Sequence, residues 1–255
     1  MGLMRHPAMI AAGNFFFRHR NMLFPVFVVV TLLFCTPRFA FGDRTLDLWL
    51  DVVGAAIALA GQGLRMLTIG YEYIVRGGRQ GKVYAEHLVQ GGVFAHSRNP
   101  LYLGNLLIIV GLAVMVHSLP LYLFGIPFFV FVYAAIIAAE ENFLRAKFGA
   151  EYEAYCGSVN RIWPRWKGFR QSIAGMRFNW RRLAIREYGT VFGLALAIIG
   201  IRALTLYKVL GEAAVPDILD LSWWLVPVIV VYAGVRYLKK SGRLTEYRSA
   251  GAEAS

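Results

Sequence analysis

Residues 101–139 read LYLGNLLIIVGLAVMVHSLPLYLFGIPFFVFVYAAIIAA, two apolar runs joined by a short turn at residues 117–120. Each run approaches the roughly 20 residues that a helix needs to cross the hydrocarbon layer of a bilayer. The short connection predicts a tight helical hairpin, and Pro120 suits the first turn of its returning helix. The hairpin would bring residues 101 and 139 to the same face of a membrane.

The remainder of the chain is also rich in apolar residues. Its 255 residues are 58% hydrophobic, and the mean hydropathy is +0.52, which is too apolar for an ordinary soluble domain. We expect an all-α, polytopic membrane protein with about six transmembrane helices and a cytosolic cofactor pocket. The predicted spans are residues 22–41, 46–69, 101–117, 119–139, 188–207 and 221–238. In the second span, Gly61 and Gly63 would permit close helix contact.

The formal net charge of +12 is distributed unevenly along the chain. Most of the 27 Lys and Arg residues lie in the N-terminus, residues 70–100, residues 140–187 and the C-terminus, whereas Arg38, Arg44 and Lys208 lie in the opposite loops. Basic loops face the cytoplasm in membrane proteins, so both termini and the long basic segment are predicted to be cytoplasmic. The positive charge then indicates anionic membrane lipids as partners, and not nucleic acid.

Four segments are expected. Residues 1–20 would form an amphipathic helix on the membrane surface, and residues 21–164 would form the membrane core, with its polar motifs within residues 82–164. Residues 165–187 form a basic interfacial segment, and residues 188–255 form two further transmembrane helices, without a polar cassette of their own, and a basic tail. Residues 70–85 are predicted to be a mobile connection, and Gly149 is predicted to end the fourth helix.

Two polar motifs stand beside the apolar runs. The first motif, residues 86–102, reads EHLVQGGVFAHSRNPLY, and the second motif, residues 140–164, reads EENFLRAKFGAEYEAYCGSVNRIWP. Charged side chains at the edge of a bilayer are costly unless they meet water, a partner or a ligand. The hairpin would place the end of the first motif next to the start of the second. We therefore expect a functional site at the membrane surface.

The residue types favour a nucleotide-like cofactor. The segment 86–89 and the following Gly91 and Gly92 offer unshielded backbone amides, while Phe94 and Tyr102 offer aromatic faces. Further candidates are Arg98, Asn99 and Pro100 at the start of the third span, where a helix N-terminus favours anions, and Glu140 and Glu141, which can pair with an ammonium group. The five histidines lack metal-ligand spacing, so no metal is predicted. We find no Ser-His-Asp arrangement and no Walker-type phosphate loop.

The segment GGVFAHSRNPLYLGN (residues 91–105) and the second motif resemble the paired signatures of the isoprenylcysteine carboxyl methyltransferase and phospholipid methyltransferase superfamily. The resemblance covers residues 82–164, about a third of the chain. It implies an integral membrane methyltransferase that binds S-adenosyl-L-methionine on the cytosolic side. It also implies a lipid or lipidated acceptor that enters from the bilayer.

The resemblance transfers cofactor-binding roles to individual positions. These are Glu86, Leu88, Val89, Phe94, Asn99, Pro100, Leu101 and Tyr102, with Glu140 on the methionine amino group and Gln80 closing the site; the first motif itself adds His87 and Arg98. Two positions depart from the pattern: Asn99 replaces the usual His, and Ile136 stands where the isoprenylcysteine enzymes carry an Arg for the acceptor carboxylate. Arg65 on the second span is a possible substitute for that Arg.

The predicted reaction is in-line transfer of a methyl group to a nucleophile carried by a lipid. Catalysis would rest on alignment and exclusion of water, and Glu141 or Tyr102 is a candidate general base if one is needed. Two other classes of protein remain open. One is an NADPH-dependent membrane reductase of the sterol-reductase type, and the other is a non-catalytic membrane scaffold.

Overall fold

The computed structural model describes residues 3–34, 38–71, 76–79 and 82–244. Apart from one short β-hairpin, regular structure in these residues is helical, so the predicted all-α class is confirmed. In chain order the elements are α1 (Pro7–Phe34), α2 (Arg44–Tyr71), β1 (Arg76–Arg79), β2 (Lys82–Ala85), α3 (Pro100–Val116), α4 (Ile126–Ser158), α5 (Phe169–Ile173), α6 (Trp180–Leu210), α7 (Val215–Ser222) and α8 (Leu225–Lys240).

Three helical stretches among the described residues are long and apolar enough to cross a membrane: Arg44–Tyr71, Leu121–Ser158 and Trp180–Ser222. Helix α3 is apolar but has 17 residues. The protein is therefore an integral membrane protein, as predicted. The total of six spans stays a prediction.

The α3–α4 hairpin forms where the sequence predicts it. Helix α3 ends at Val116, His117 adopts the left-handed conformation with φ of 50°, and the chain re-enters helix through a π turn at Leu121–Gly125. Beyond the apolar region α4 continues to Ser158, with a break at Gly149, where φ is 51°. Gly149 thus interrupts the helix as expected. We call the end of the bundle that holds Asn99 and Glu140 the site end, and the end that holds His117 the far end.

The N-terminal region differs from the prediction. Residues 1–20 were expected to form a surface helix separate from a span at 22–41, but one continuous helix, α1, covers Pro7–Phe34. Met9, Gly13 and Phe17, spaced by four residues, are buried against α4, and a Cβ atom on Gly13 would collide with the Ala135 carbonyl. This half of α1 therefore packs on protein and not only on lipid headgroups.

The connection after α2 also differs from the prediction. Within residues 70–85, which were expected to be a mobile connection, β1 and β2 pair antiparallel with Arg76 opposite Ala85. Ala85 is buried in a cluster with Leu144 and Tyr152 of α4, so the hairpin is held against the site end. Gln80 lies outside the described residues.

Glycines bring α2 and α3 into close contact. A Cβ atom on Gly61 would lie 2.5 Å from the Gly104 carbonyl oxygen, and one on Gly54 would lie 2.5 Å from the Gly111 carbonyl oxygen. Small residues allow two helix backbones to approach in this way. The predicted role of Gly61 is confirmed. Gly63 faces open space, because a Cβ atom at this position would have no described atom within 4 Å.

We expect Gly61→Ala to destabilise the protein by about 1–3 kcal/mol, because the added methyl group pushes against backbone that cannot rotate away. Gly63→Ala is the matched control, and it should be neutral or stabilising by up to about 1 kcal/mol through higher helix propensity. Thermal unfolding in detergent measures both. Equal melting temperatures for the two variants would contradict the close contact between α2 and α3.

Helix α6 begins at Trp180, ahead of the span predicted at residues 188–207. The Asn179 side chain caps this start by accepting a hydrogen bond from the Arg182 amide at 2.9 Å. The Arg182 guanidinium donates to the carbonyls of Ile69 and Gly70 at 2.8 and 2.9 Å, at the last turn of α2. The first turns of α6 are therefore tied to α2 at the site end.

Candidate active site

The two polar motifs lie against each other at the site end. Hydrogen bonds join them as follows: the Tyr155 hydroxyl to the Phe94 carbonyl (2.7 Å), the Arg98 amide to the Asn160 carbonyl (2.9 Å), the Ser97 hydroxyl to the Ile162 carbonyl (2.7 Å) and the Asn99 side-chain amide to the Arg161 carbonyl (3.0 Å). The second motif therefore fixes the loop that precedes α3. Sequence patterns within either motif cannot reveal these hydrogen bonds, because the bonds depend on how the two segments fold together.

Glu140 and Tyr102 meet, as the hairpin predicts. The Tyr102 hydroxyl donates to the Glu140 carboxylate at 2.7 Å, and only 4% of Glu140 is exposed. The Tyr102 ring also lies beside the Tyr133 ring, with centroids 5.5 Å apart. The buried carboxylate at the start of the second motif is thus hydrogen-bonded to one ring of an aromatic pair, Tyr102 of α3 and Tyr133 of α4.

Glu141 is fully buried among three arginines. Its carboxylate oxygens lie 3.2 Å from Arg98, 3.1 Å from Arg145, and 3.0 Å from both the Nε and the Nη2 of Arg161. Three guanidinium groups at these distances keep a carboxylate ionised and occupy its lone pairs. This geometry argues against the general-base role predicted for Glu141 and indicates a structural one. The i, i+4 spacing of Arg145 was readable from the sequence, whereas Arg161 was not.

Asn99 carries an unsatisfied buried atom at the start of α3. The residue is 3% exposed, and its Oδ1 has no hydrogen-bond partner in the described part of the chain. The Asn99 side chain makes no capping hydrogen bond to α3, and its amide donates to the Arg161 carbonyl of the second motif. A buried acceptor without a donor costs about 1–3 kcal/mol, so this atom suits a ligand that donates a hydrogen bond.

The other predicted cofactor residues differ in exposure. Glu86 and His87 are exposed, Leu88, Val89 and Leu101 are half-buried, and Phe94, Arg98 and Pro100 are buried. Leu88 packs against the cluster that contains Leu144 and Tyr152 of α4. The first motif therefore runs from the surface at Glu86 to the buried Asn99 along one side of α4.

Arg65, the predicted substitute for an acceptor-binding arginine, is engaged by other residues. It donates to both carboxylate oxygens of Glu187, at 2.6 and 3.0 Å, and to Asn105 Oδ1 at 2.6 Å. Glu187 is 2% exposed and also accepts from Gln62 at 2.8 Å. Helix α6 therefore contributes a buried carboxylate just ahead of the span predicted at residues 188–207, for which no polar cassette was expected. Glu187 escaped notice because the fifth span was predicted to begin one residue later.

Ile136, where the isoprenylcysteine enzymes carry an Arg, is fully buried. It belongs to an apolar cluster with Phe17 of α1 and with Val132 and Tyr133 of α4. The side of α4 that faces α1 is therefore apolar at this position. A carboxylate placed here would have no cationic partner from residue 136.

A second polar cluster lies at the far end of the bundle. Arg202 of α6 donates to Asp47 and, at 2.8 Å, to Asp51, both on α2, and His117 Nε2 lies 3.0 Å from Asp47. Asp47 is fully buried, and Asp51 is 8% exposed. No group of three or more His, Cys, Asp or Glu among the described residues has the arrangement of a metal site. The far-end cluster is therefore an ion-pair network that joins α2, α3 and α6.

A buried acid that is hydrogen-bonded to Tyr102, and a buried amide oxygen of Asn99 without a partner among the described residues, lie at the same end of a helical membrane protein. A family model described as phospholipid methyltransferase matches residues 50–151, which include α3, the first motif and the start of the second. The chain belongs to this family of integral membrane methyltransferases. The resemblance drawn from the two motifs is thereby confirmed.

The chain is also similar to two curated proteins whose names refer to metal resistance. The cobalt-zinc-cadmium resistance protein CzcN of Cupriavidus metallidurans is 33% identical over 174 residues, which is 65% of this chain and 74% of the relative. The nickel-cobalt-cadmium resistance protein NccN of Alcaligenes xylosoxydans xylosoxydans is 30% identical over 176 residues, which is 67% of this chain and 78% of the relative. No solved structure shows a significant match.

Proposed function

We propose that the protein transfers a methyl group from S-adenosyl-L-methionine to a lipid or lipidated acceptor held in the bilayer. The observation that carries the proposal is the buried Glu140 carboxylate, hydrogen-bonded to Tyr102, at the meeting point of the two motifs. A buried carboxylate can accept a strong, charge-assisted hydrogen bond from an ammonium group. The methionine ammonium of the cofactor is such a group.

The residues present fit this cofactor. Glu140 would hold the ammonium group, and Asn99 Oδ1 would accept a hydrogen bond from a donor on the ligand. Phe94 and Tyr102 supply aromatic surface, and the backbone of Gly91 and Gly92 can approach a ligand closely. When bound, the cofactor supplies an activated methyl group on a sulfonium centre.

The chain's own contribution is alignment and exclusion of water. The aromatic pair of Tyr102 and Tyr133, with Ile136 behind it, forms an apolar surface on the membrane side of Glu140. Such a surface would hold an acceptor away from water in a near-attack position. Since Glu141 is tied to three arginines, Tyr102 is the remaining candidate for taking a proton from an amine or an alcohol, and its hydroxyl would do so while passing its own proton to Glu140.

A prenylcysteine carboxylate is a poor candidate for the acceptor. Ile136 offers no charge, and Arg65 is bound on both sides of its guanidinium by Glu187 and Asn105. A carboxylate in a low-dielectric site without a cation is strongly disfavoured. We therefore favour a lipid acceptor with an amine or a hydroxyl group.

We also propose that the site end faces the cytoplasm and contacts anionic lipid headgroups. Exposed tryptophans accompany exposed basic residues there: Trp163, Trp166 and Trp180 with Arg165, Lys167, Arg170 and Arg181. Aromatic rings and cationic side chains are enriched together at membrane interfaces. Vesicles that contain phosphatidylserine should bind the site end of the protein more tightly than neutral vesicles do. This difference in affinity should vanish at high salt.

Cofactor binding can be tested by thermal unfolding in detergent. S-adenosylhomocysteine should raise the melting temperature, because a ligand that binds only the folded state stabilises it by mass action. Glu140→Gln should weaken this binding by about 1.5–3 kcal/mol, through loss of a charge-assisted hydrogen bond. Asp220→Asn, an exposed acid at a site remote from both motifs, is the control and should bind like the parent.

Two results would overturn the proposed cofactor. One is stabilisation by NADPH without stabilisation by S-adenosylhomocysteine, which would favour a reductase. The other is unchanged affinity in Glu140→Gln, which would remove the observation that carries the proposal. The acceptor class can then be found by incubating the protein with a lipid extract and S-adenosylmethionine labelled in its methyl group, and by mass analysis of the labelled lipid.

A further inference from the structure

A series of side-chain contacts, three of them polar and one between aromatic rings, leads from helix α6 to Tyr102, which is paired with Glu140. Glu187 binds Arg65 through two hydrogen bonds, and Arg65 donates to Asn105 at 2.6 Å. Asn105 also hydrogen-bonds the Tyr133 hydroxyl. Tyr133 lies beside Tyr102, which donates to Glu140. Four helices, α2, α3, α4 and α6, thus contribute to one connected network.

The position of this network indicates which part of the site it affects. Tyr133 lies seven residues before Glu140 on α4, which is about 10 Å along a helix. It lies on the apolar side of Glu140, in the cluster with Ile136 and Phe17. The network therefore reaches Tyr102 and Glu140 through Tyr133, from the apolar side of α4, where a lipid acceptor would arrive.

Burying the Glu187–Arg65 pair costs hydration free energy, which a purely structural contact would not need to spend. Glu187 is 2% exposed and the Arg65 side chain is 13% exposed, so both charges lose most of their hydration. Buried ion pairs are often replaced by apolar residues without loss of stability, which makes them weak sources of folding free energy. A bidentate carboxylate–guanidinium contact does, however, fix the orientation of both groups.

We propose that Glu187 is a positioning residue of the methyl-transfer site. It holds the Arg65 guanidinium, and through Asn105 and Tyr133 it orients the acceptor side of the Tyr102–Glu140 pair. This proposal rests on the proposed function and extends it to a helix outside the residues 50–151 matched by the family model. Helix α6 is then a functional part of the enzyme, and not only an additional span.

The first test compares cofactor binding with turnover. With S-adenosylmethionine at saturation and a lipid extract as the acceptor source, Glu187→Gln should lower methyl transfer tenfold to about a hundredfold, as expected for a misplaced reactant. The KM for S-adenosylmethionine and the affinity for S-adenosylhomocysteine should stay within about twofold of the parent, because the network approaches from the acceptor side. Glu187→Asp keeps the carboxylate and should recover most of the activity.

The second test asks whether Glu187 acts through Arg65. Arg65→Gln should lower turnover to a similar extent, and the double variant Arg65→Gln/Glu187→Gln should be no slower than either single variant. Additive losses would overturn the proposed route. Asp220→Asn serves again as the control with parental turnover.

The outcomes separate this inference from the proposed function. If the parent neither binds S-adenosylhomocysteine nor methylates any lipid, the proposed function fails, and the inference fails with it. If the parent does both but Glu187→Gln turns over like the parent, only the positioning role is overturned. A parallel fall in melting temperature, cofactor affinity and turnover, without rescue by Glu187→Asp, would also overturn it, because it would indicate a structural contact alone.

Discussion

Glu141→Gln is expected to destabilise the folded protein by about 3–5 kcal/mol, the largest effect of any single change at the site end. The substitution removes the negative charge that Arg98, Arg145 and Arg161 share. Arg145 keeps Glu153 as a partner at 3.0 Å, whereas the buried Arg98 loses its carboxylate partner. Removing one partner of a buried ion pair costs much more free energy than replacing both partners with apolar residues, because the remaining buried charge is uncompensated. The start of α3, the middle of α4 and the end of the second motif would separate together.

The neighbouring residue provides a matched control. Glu140→Gln makes the same chemical change one position earlier, but its carboxylate accepts a hydrogen bond from Tyr102, which an amide oxygen can also accept. Glu140→Gln should therefore lower the free energy of unfolding by less than Glu141→Gln does. Melting temperature and the monodisperse fraction after size-exclusion chromatography in detergent measure both variants. If Glu141→Gln melts like the parent, the three arginines do not depend on this carboxylate.

Arg202→Gln is expected to have a comparable effect at the far end, again about 3–5 kcal/mol. Asp47 and Asp51 lie one turn apart on α2, and both are buried, so without the arginine two carboxylates repel each other next to His117. Helix α6 would lose its polar attachment to α2 at this end. Thermal unfolding reports the change.

A second substitution separates charge repulsion from lost packing. Asp51→Asn in the Arg202→Gln background removes one of the two carboxylates and should restore a substantial part of the lost stability. Arg236→Gln, at an exposed position on α8, is the control and should stay within about 0.5 kcal/mol of the parent. If the double variant is no more stable than Arg202→Gln, electrostatic repulsion is not the source of the loss.

The features that were predictable from sequence depend on neighbours along the chain. The length of the apolar runs and the four-residue connection at 117–120 were enough to predict the α3–α4 hairpin. From the hairpin followed the meeting of Tyr102 and Glu140, because both lie at its open end. The order of the two motifs was enough to indicate the methyltransferase family, which the family model confirms.

The boundaries of helices were harder to predict than their existence. Helix α1 extends through residues expected to lie on the membrane surface, because Met9, Gly13 and Phe17 find a packing surface on α4. Helix α6 begins at Trp180, where Asn179 caps it, and so includes Glu187. The length of an apolar run indicates which residues can lie in the hydrocarbon layer. It does not indicate how many polar turns the helix adds beyond that layer.

The membrane class, the central hairpin and the two motifs that meet at its open end follow from local composition and spacing, so they could be predicted from the sequence. The partner of each buried charge could not be predicted, because it depends on how distant segments pack. Glu141 faces Arg161, 20 residues away, Arg65 faces Glu187, 122 residues away, and Arg202 faces Asp47, 155 residues away. A buried charge must be paired wherever packing brings an opposite charge within reach, and that choice depends on how the helices pack.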